Sequence, residues 1–337
     1  MRFRTKFEIE PFQPHRLMQN PHTQTVMGNL LRSQQGVDFR RERIFTPDGD
    51  FLDLDFADVA GATWDDLGEK TPIALFLHGL EGNARSGPAQ EIYRYLSNRG
   101  VRCVGMNMRS CSGELNRTPK LYHAGMTEDL AFVLGWLQDR FPDVPRGIVA
   151  ISLGSNIMLK YLGEQGTTAQ DMLAAAVAIS PPFDLLAGSY VMAGTRTGKL
   201  YTQRMLGPLK DKVRGLAPLI DNKVDISQLD EVNDFRKFDD LYTAPLHGFQ
   251  GADDYYVRSS SQNFIADIRL PTLILRAVDD PFFDSTDIPY QIIEQNPNLY
   301  GGFPAHGGHV GFVEGGLPGQ YTYWAERQAA RFLAVMI

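Results

Sequence analysis

The 337-residue sequence predicts an α/β architecture: a mostly parallel central sheet with helices on both faces and an inserted helical segment. Three observations carry that prediction. An alternating hairpin pattern opens the chain, short and almost continuously apolar runs then alternate with helix-period segments, and the rhythm breaks at residues 183–268 before resuming.

The elements follow in order. RERIFTPDGDFLDLDFAD (41–58) reads as two alternating segments around Pro47-Asp48-Gly49, a hairpin signal. IALFLH (73–78) is a buried strand, and PAQEIYRYLSNR (88–99) a helix with proline near its start and Gly100 after its end. A strand at 101–107 leads to a helix at 127–140 with an acidic first turn, then to a strand ending at Ile151. Apolar residues recur at three- and four-residue steps over 157–162, as on a helix face, and 174–179 is another buried strand. No convincing apolar strand occurs in 183–268, which reads as a helical cap over the site. A strand at 271–277, a helix at 288–295, a short strand at 299–303 and a closing helix at 321–335 complete a core made of residues 1–182 and 269–337.

A formal net charge of −7 and a pI near 5.5 argue against nucleic acid or anionic lipid headgroups as the main partner, because both reward clustered Lys and Arg. Small or neutral substrates fit better. The N-terminus, MRFRTKFEIEPFQPHR, has no apolar h-region, and no stretch approaches the roughly eighteen apolar residues of a transmembrane helix, so a cytoplasmic protein without a membrane span is expected. Two cysteines, Cys103 and Cys111, are too few for a disulfide framework or a structural zinc site, and Cys103 is expected in the core.

IVAISLGSN (148–156) runs from strand through Ser-Leu-Gly into helix, the context a nucleophile elbow requires. The first glycine of Gly-x-Ser-x-Gly is here Ala150, and Ser152 as an ordinary turn serine competes until other groups decide. A serine nucleophile needs a base and a carboxylate, which in the α/β-hydrolase order follow as acid, then histidine. Val278-Asp279-Asp280-Pro281 supplies the acid at a strand end; Asp280 is preferred and Asp279 is the alternative. His306-Gly307-Gly308-His309-Val310-Gly311 supplies the base, His309 first and His306 second; as a metal motif, His-x-x-His lacks a third ligand cluster. Oxyanion donors are expected from the N–H groups of Leu153 and, in His78-Gly79-Leu80-Glu81-Gly82, of Leu80, with His78 structural. No phosphate-binding glycine motif is present, and the chemistry needs no metal or organic cofactor.

With these residues assembled, the chain resembles the AB hydrolase 4 family, the YheT-like α/β-hydrolases whose eukaryotic relatives include the ABHD1 and ABHD3 group. The resemblance spans nearly the whole chain: Asn20-Pro21-His22-Thr23-Gln24-Thr25, the His78–Gly82 motif, Asn107-Met108-Arg109-Ser110-Cys111-Ser112-Gly113-Glu114, Leu121-Tyr122-His123-Ala124-Gly125, Ser152-Leu153-Gly154-Ser155-Asn156 and the Asp280 and His309 motifs. It implies an α/β-hydrolase fold and a serine hydrolase of carboxylic esters, some relatives handling medium-chain acyl groups or lipids, with Ser152, Asp280 and His309 as triad. Ala150, Ser155 and Ser110 stand where the family usually has glycine. His22 and His123 are expected to tie loops down, Arg109 to pair with Glu114 or Asp129, and Tyr190, Met192, Tyr201 and Met205 to pack the cap, an apolar pocket being the alternative. Two other functions share the pattern: an acyltransferase using the same acyl-enzyme, and a non-catalytic binding protein with a degenerate site.

Overall fold

The computed structural model describes residues 7–315 and 320–337. Eight strands form one sheet: β1 Val37–Phe45, β2 Phe51–Val59, β3 Ile73–Leu77, β4 Arg102–Asn107, β5 Arg146–Ile151, β6 Ala175–Ile179, β7 Thr272–Leu275 and β8 Leu299–Gly302. Their order is β1-β2-β4-β3-β5-β6-β7-β8. β2 runs antiparallel to both neighbours, and the pairs from β4 to β8 are parallel. The predicted hairpin closes where the turn residues stand, with Phe45 opposite Phe51 and Gly49 at φ +83°, a backbone angle that glycine adopts without strain.

Both faces of the parallel strands are covered, which is why their sequences are continuously apolar rather than alternating. Along β3, Ile73, Leu75 and Leu77 join one core cluster with Leu130, Val133, Leu134, Ile157 and Met158 of helices Thr127–Arg140 and Leu153–Gln165. Ala74 and Phe76 point the other way, into a second cluster with Ile92 and Leu96 of helix Gly87–Ser97 and Phe332 and Leu333 of helix Trp324–Met336. The strand period of two thus divides one short segment between two cores.

Three predicted helices are shorter than read, the one expected at 288–295 spanning only Tyr290–Gln295. The segment expected to be helical over 88–99 ends at Ser97, because Val101 N–H turns back to Leu96 O at 3.1 Å and Gly100 takes φ +76°. The closing helix begins at Trp324 rather than 321, since Thr322–Tyr323 pairs with Val313–Glu314 as a small antiparallel ladder. Helix Pro21–Leu31 was not anticipated.

Between the adjacent strands β6 and β7, residues 183–268 form helices, the longest being Arg196–Ile220. Its buried Leu206, Leu209, Val213, Leu216 and Ile220 recur at three- and four-residue steps, an amphipathic stripe that seats it on the rest of the molecule. Among the described residues, no helix is long and apolar enough to cross a membrane.

Candidate active site

β5 ends at Ile151, and the chain reverses into helix Leu153–Gln165 through Ser152, held at φ +51°, ψ −122°. A residue with a Cβ is strained there, so its surroundings must impose the angle. Ser152 N–H donates to Ile179 O at 2.9 Å. Gly154 leaves room for the turn, since a Cβ on it would stand 2.7 Å from Leu77 O and closer still to His78 O. The two departures from glycine are accommodated. Ala150 is fully buried within β5, and Ser155 puts its hydroxyl between strands, 2.7 Å from Ala150 O, 3.0 Å from Ile179 O and accepting Ile179 N–H at 3.1 Å. Ser110, the third departure, stands at φ +61°, and its hydroxyl accepts Asn116 N–H at 3.0 Å.

Ser152 Oγ lies 2.9 Å from His309 Nε2, and His309 Nδ1 lies 2.8 Å from Asp280 Oδ2. Asp280 is buried just beyond β7, and its other oxygen accepts Phe282 N–H at 2.9 Å. A carboxylate can only accept, so the Nδ1 proton belongs to the imidazole and its Nε2 lone pair faces the serine hydroxyl. Phe282 stacks on the His309 ring with centroids 4.3 Å apart. The alternatives weighed in the sequence pair with each other instead: His306 Nδ1 is 3.2 Å from Asp279 Oδ2, and Asp279 Oδ1 accepts Gly308 N–H at 2.9 Å.

The His309 loop is clamped by residues the sequence reading left without a role. Asn20 caps helix Pro21–Leu31 by accepting His22 and Thr23 N–H, and Thr25 Oγ1 then accepts His309 N–H at 2.9 Å. Gln24 is fully buried; its amide accepts Val313 N–H at 2.7 Å and donates to Met18 O at 2.7 Å. Arg32, paired with buried Glu326, donates to Val310 O and Gly311 O at 2.9 and 3.0 Å. Gly311 must be glycine for this approach, because an added Cβ would sit 2.6 Å from Gln24 O.

On the opposite side of Ser152, the buried His78 ring closes the turn after β3. Its Nε2 accepts Met108 N–H at 3.0 Å, which leaves Nδ1 to donate to Gly79 O at 2.7 Å. Burial holds this imidazole neutral, its pKa pushed down to about 4. Gly79 O also accepts Gly82 N–H at 3.0 Å, so in the planar trans peptide the Leu80 N–H points away from that turn. An added Cβ at Gly79 would lie 3.0 Å from Ser152 Cβ. Neither Leu80 N–H nor Leu153 N–H has an acceptor among the described residues.

A cavity of about 140 Å³ opens above Ser152, walled by Leu80 and Leu153 from the core and by Met192, Met205, Leu209 and Phe238 from the 183–268 segment. Of the residues of the 183–268 segment singled out in the sequence, Met192 and Met205 therefore line a pocket, whereas Tyr201 packs against Phe282 with its ring tilted 58° and centroids 4.8 Å apart, and exposed Tyr190 bonds Arg236. A larger cavity, about 850 Å³, lies behind His123 and His247, but its cations are already matched: Arg109 to Asp48 and Asp129, Lys120 to Asp48, Lys160 to Glu164. Ser152 belongs to the smaller one. Arg109 takes Asp129 at 2.8 Å as expected, with Asp50 and Asp48 of the hairpin, while Glu114 pairs with Arg43. His22 meets the 183–268 segment at Tyr201 Oη, 3.2 Å away, and His123 packs against His247.

Residues 72–316 match the profile of the α/β-hydrolase fold family. Over 308 residues the chain is 37% identical to YheT of Escherichia coli, named as a provisional esterase, covering 91% of this chain and 88% of that one. The chain belongs to the α/β-hydrolase family. Within it, the chain groups with YheT and ABHD3: mouse phospholipase ABHD3 is 30% identical over 93% of this chain and 76% of its own length. The monoacylglycerol lipase of Saccharomyces cerevisiae is 30% identical over 87% of this chain and 62% of that protein. Among solved structures, the Pyrococcus furiosus esterase Pf2001 superposes with a TM-score of 0.56, covering 98% and 99% of the two chains at 16% identity, a likeness of fold.

Proposed function

We propose that the chain hydrolyses carboxylic esters of short- to medium-chain acyl groups, lipids included, through an acyl-enzyme on Ser152. The observation that carries this reading is the 2.9 Å approach of Ser152 Oγ to His309 Nε2. His309 takes the hydroxyl proton as Ser152 attacks the ester carbonyl, then returns it to the departing alcohol. Asp280, buried and bonded to Nδ1, keeps the ring in the required tautomer and stabilises the imidazolium. Leu80 and Leu153 N–H groups receive the negative charge on the carbonyl oxygen. Water, activated by His309, then releases the acid. Residues 183–268 act as the cap, and core residues 1–182 and 269–337 carry the reacting groups.

Two further observations bear on substrate. The cavity wall is mostly apolar and partly built of Met, which adapts to flexible chains, with the Asp239 carboxyl among its few polar groups. Its volume of about 140 Å³ is below the several hundred cubic ångströms typical of drug-sized ligand sites, which suits a short or medium acyl group rather than a long one. The relatives are named as an esterase, a phospholipase and a monoacylglycerol lipase, which supports an ester substrate. A fluorophosphonate probe tests the reading: wild type becomes labelled and Ser152→Ala does not. Absence of labelling in folded wild type overturns it.

A further inference from the structure

Glu81 follows Leu80 directly, and its backbone sits at φ +54°, the left-handed region where a side chain is strained. Three contacts hold it there. Its N–H donates to Tyr122 Oη at 2.8 Å, Tyr122 O–H donates back to Glu81 Oε1 at 2.6 Å, and Lys212 Nζ donates to that same oxygen at 2.7 Å. Lys212 lies on the long helix Arg196–Ile220 of the cap. The ion pair therefore joins the cap to the turn that carries Leu80.

The setting makes this pair more than a surface contact. The side chains of Lys212 and Glu81 are only 12% and 11% exposed, so removing either partner strands a largely desolvated charge. Lys212 Nζ also stands 3.1 Å from Cys111 Sγ and 5.0 Å from the Tyr122 ring centroid. Burial raises the Cys111 thiol to about 11, so it is uncharged at neutral pH and Glu81 is the anion that Lys212 answers.

We propose that Lys212 is a positioning residue: acting through Glu81, it fixes the direction of the Leu80 N–H and makes the oxyanion site depend on the cap being seated. The proposal rests on the esterase reading, in which Leu80 is an oxyanion donor. A tie that merely held the fold together would change stability without changing the turn.

The test uses the full chain carrying Lys212→Met, Lys212→Arg, Glu81→Gln and the Lys212→Met/Glu81→Gln pair, each checked for a cooperative melt. With p-nitrophenyl butyrate, Lys212→Met is expected to lower kcat about 10- to 100-fold, the scale of a misplaced catalytic group, with KM changed less than about threefold. Lys212→Arg restores most of the rate, and the double variant is no slower than the worse single one. Full kcat in folded Lys212→Met, or single losses that multiply, overturns the proposal. Amide hydrogen exchange over residues 79–84, measured in a Ser152→Ala background, reads the turn without turnover. Exchange faster in Lys212→Met than in Lys212→Arg supports the positioning of the Leu80 turn by Lys212, and equal exchange overturns the proposal; this readout does not depend on turnover, so it is separate from the fluorophosphonate result that tests the esterase reading.

Discussion

Asp279 and His306 form a second carboxylate–imidazole pair, 3.2 Å apart, on the exposed side of the loops whose buried side holds Asp280 and His309. Two adjacent acids thus serve two histidines three residues apart, and only the inner pair reaches Ser152.

Exchanging each acid for its amide separates their parts. Asp280→Asn is expected to lower kcat about 10³- to 10⁴-fold, because an amide no longer selects the tautomer that presents Nε2 to the serine. Asp279→Asn leaves kcat/KM within about threefold and lowers stability by roughly 1 kcal/mol, since its Oδ1 bond to Gly308 N–H is weakened. His309→Gln and His306→Gln divide in the same way. Steady-state kinetics on one p-nitrophenyl ester checks all four, and equal losses for Asp279→Asn and Asp280→Asn would reject the assignment.

Ser155 offers a test of the elbow's departures from glycine. Its hydroxyl is buried between Ala150 O, Ile179 O and Ile179 N–H, so Ser155→Ala leaves a buried donor without its acceptor and costs about 1–3 kcal/mol. kcat is expected to stay within a fewfold of wild type, because Ser152 keeps its own bond to Ile179 O. Gly154→Ala is the contrasting case: its Cβ meets the carbonyl oxygens of Leu77 and His78, both backbone, and the variant is expected to lose folding yield. Urea titration and kcat on purified protein report both.

How much was legible in advance follows from which forces leave a periodic trace. The sheet was legible, because strands buried on both faces must be apolar throughout and helices between them must carry an apolar stripe. The approach of Ser152, Asp280 and His309 was legible as turn chemistry after strands. Helix Pro21–Leu31 was not: what it buries is Gln24 and Gly28, and its grip on the His309 loop is made of hydrogen bonds from Gln24 and Thr25, which leave no hydrophobic period. The Asn20-Pro21 start was the available signal, an N-cap followed by proline. Between Asp279 and Asp280 the Asp-Pro turn favoured Asp280, but spacing alone left Asp279 open, since one residue along an irregular turn reverses a side chain. Arg109 met hairpin acids Asp48 and Asp50 some sixty positions away, a proximity that only the tertiary fold creates.

Acid should unfold this protein through its buried imidazoles. His78 and His247 are held at about 4 by burial against an ordinary 6.5, and His123 lies well below its ordinary value through burial and the nearby His247. Between pH 6.5 and 4 the unfolded chain therefore binds protons that the native chain refuses, and stability falls as the pH falls. Each of the two histidines near 4 contributes on the order of 3 kcal/mol across that window. Denaturant titrations at pH 7.5, 5.5 and 4.5 should show a steep decline, and His78→Gln should flatten it. A flat profile in wild type would mean these rings are not neutral when folded.

Asp239 works in the opposite direction. Its carboxyl lines the cavity above Ser152, accepting Tyr256 O–H at 2.7 Å and Thr243 O–H at 2.6 Å, and burial raises its pKa to about 6 from an ordinary 3.8. Between those values the native form holds a proton the unfolded chain has released, so this group's contribution to stability falls as the pH rises and is fully unfavourable above 6. Three imidazoles outweigh one carboxyl, which is why net stability still declines in acid. Asp239→Asn removes the opposing contribution: it should stabilise the protein at pH 7.5 by about 1 kcal/mol more than at pH 5, read by denaturant midpoints at both values. Ionised Asp239 also puts charge beside the proposed acyl site, so the variant should gain kcat/KM for hexanoate relative to acetate esters above pH 6 and not below it. A gain in stability that is the same at both pH values would show that Asp239 is already ionised in the folded protein at pH 5, and the cavity would then have to solvate that charge.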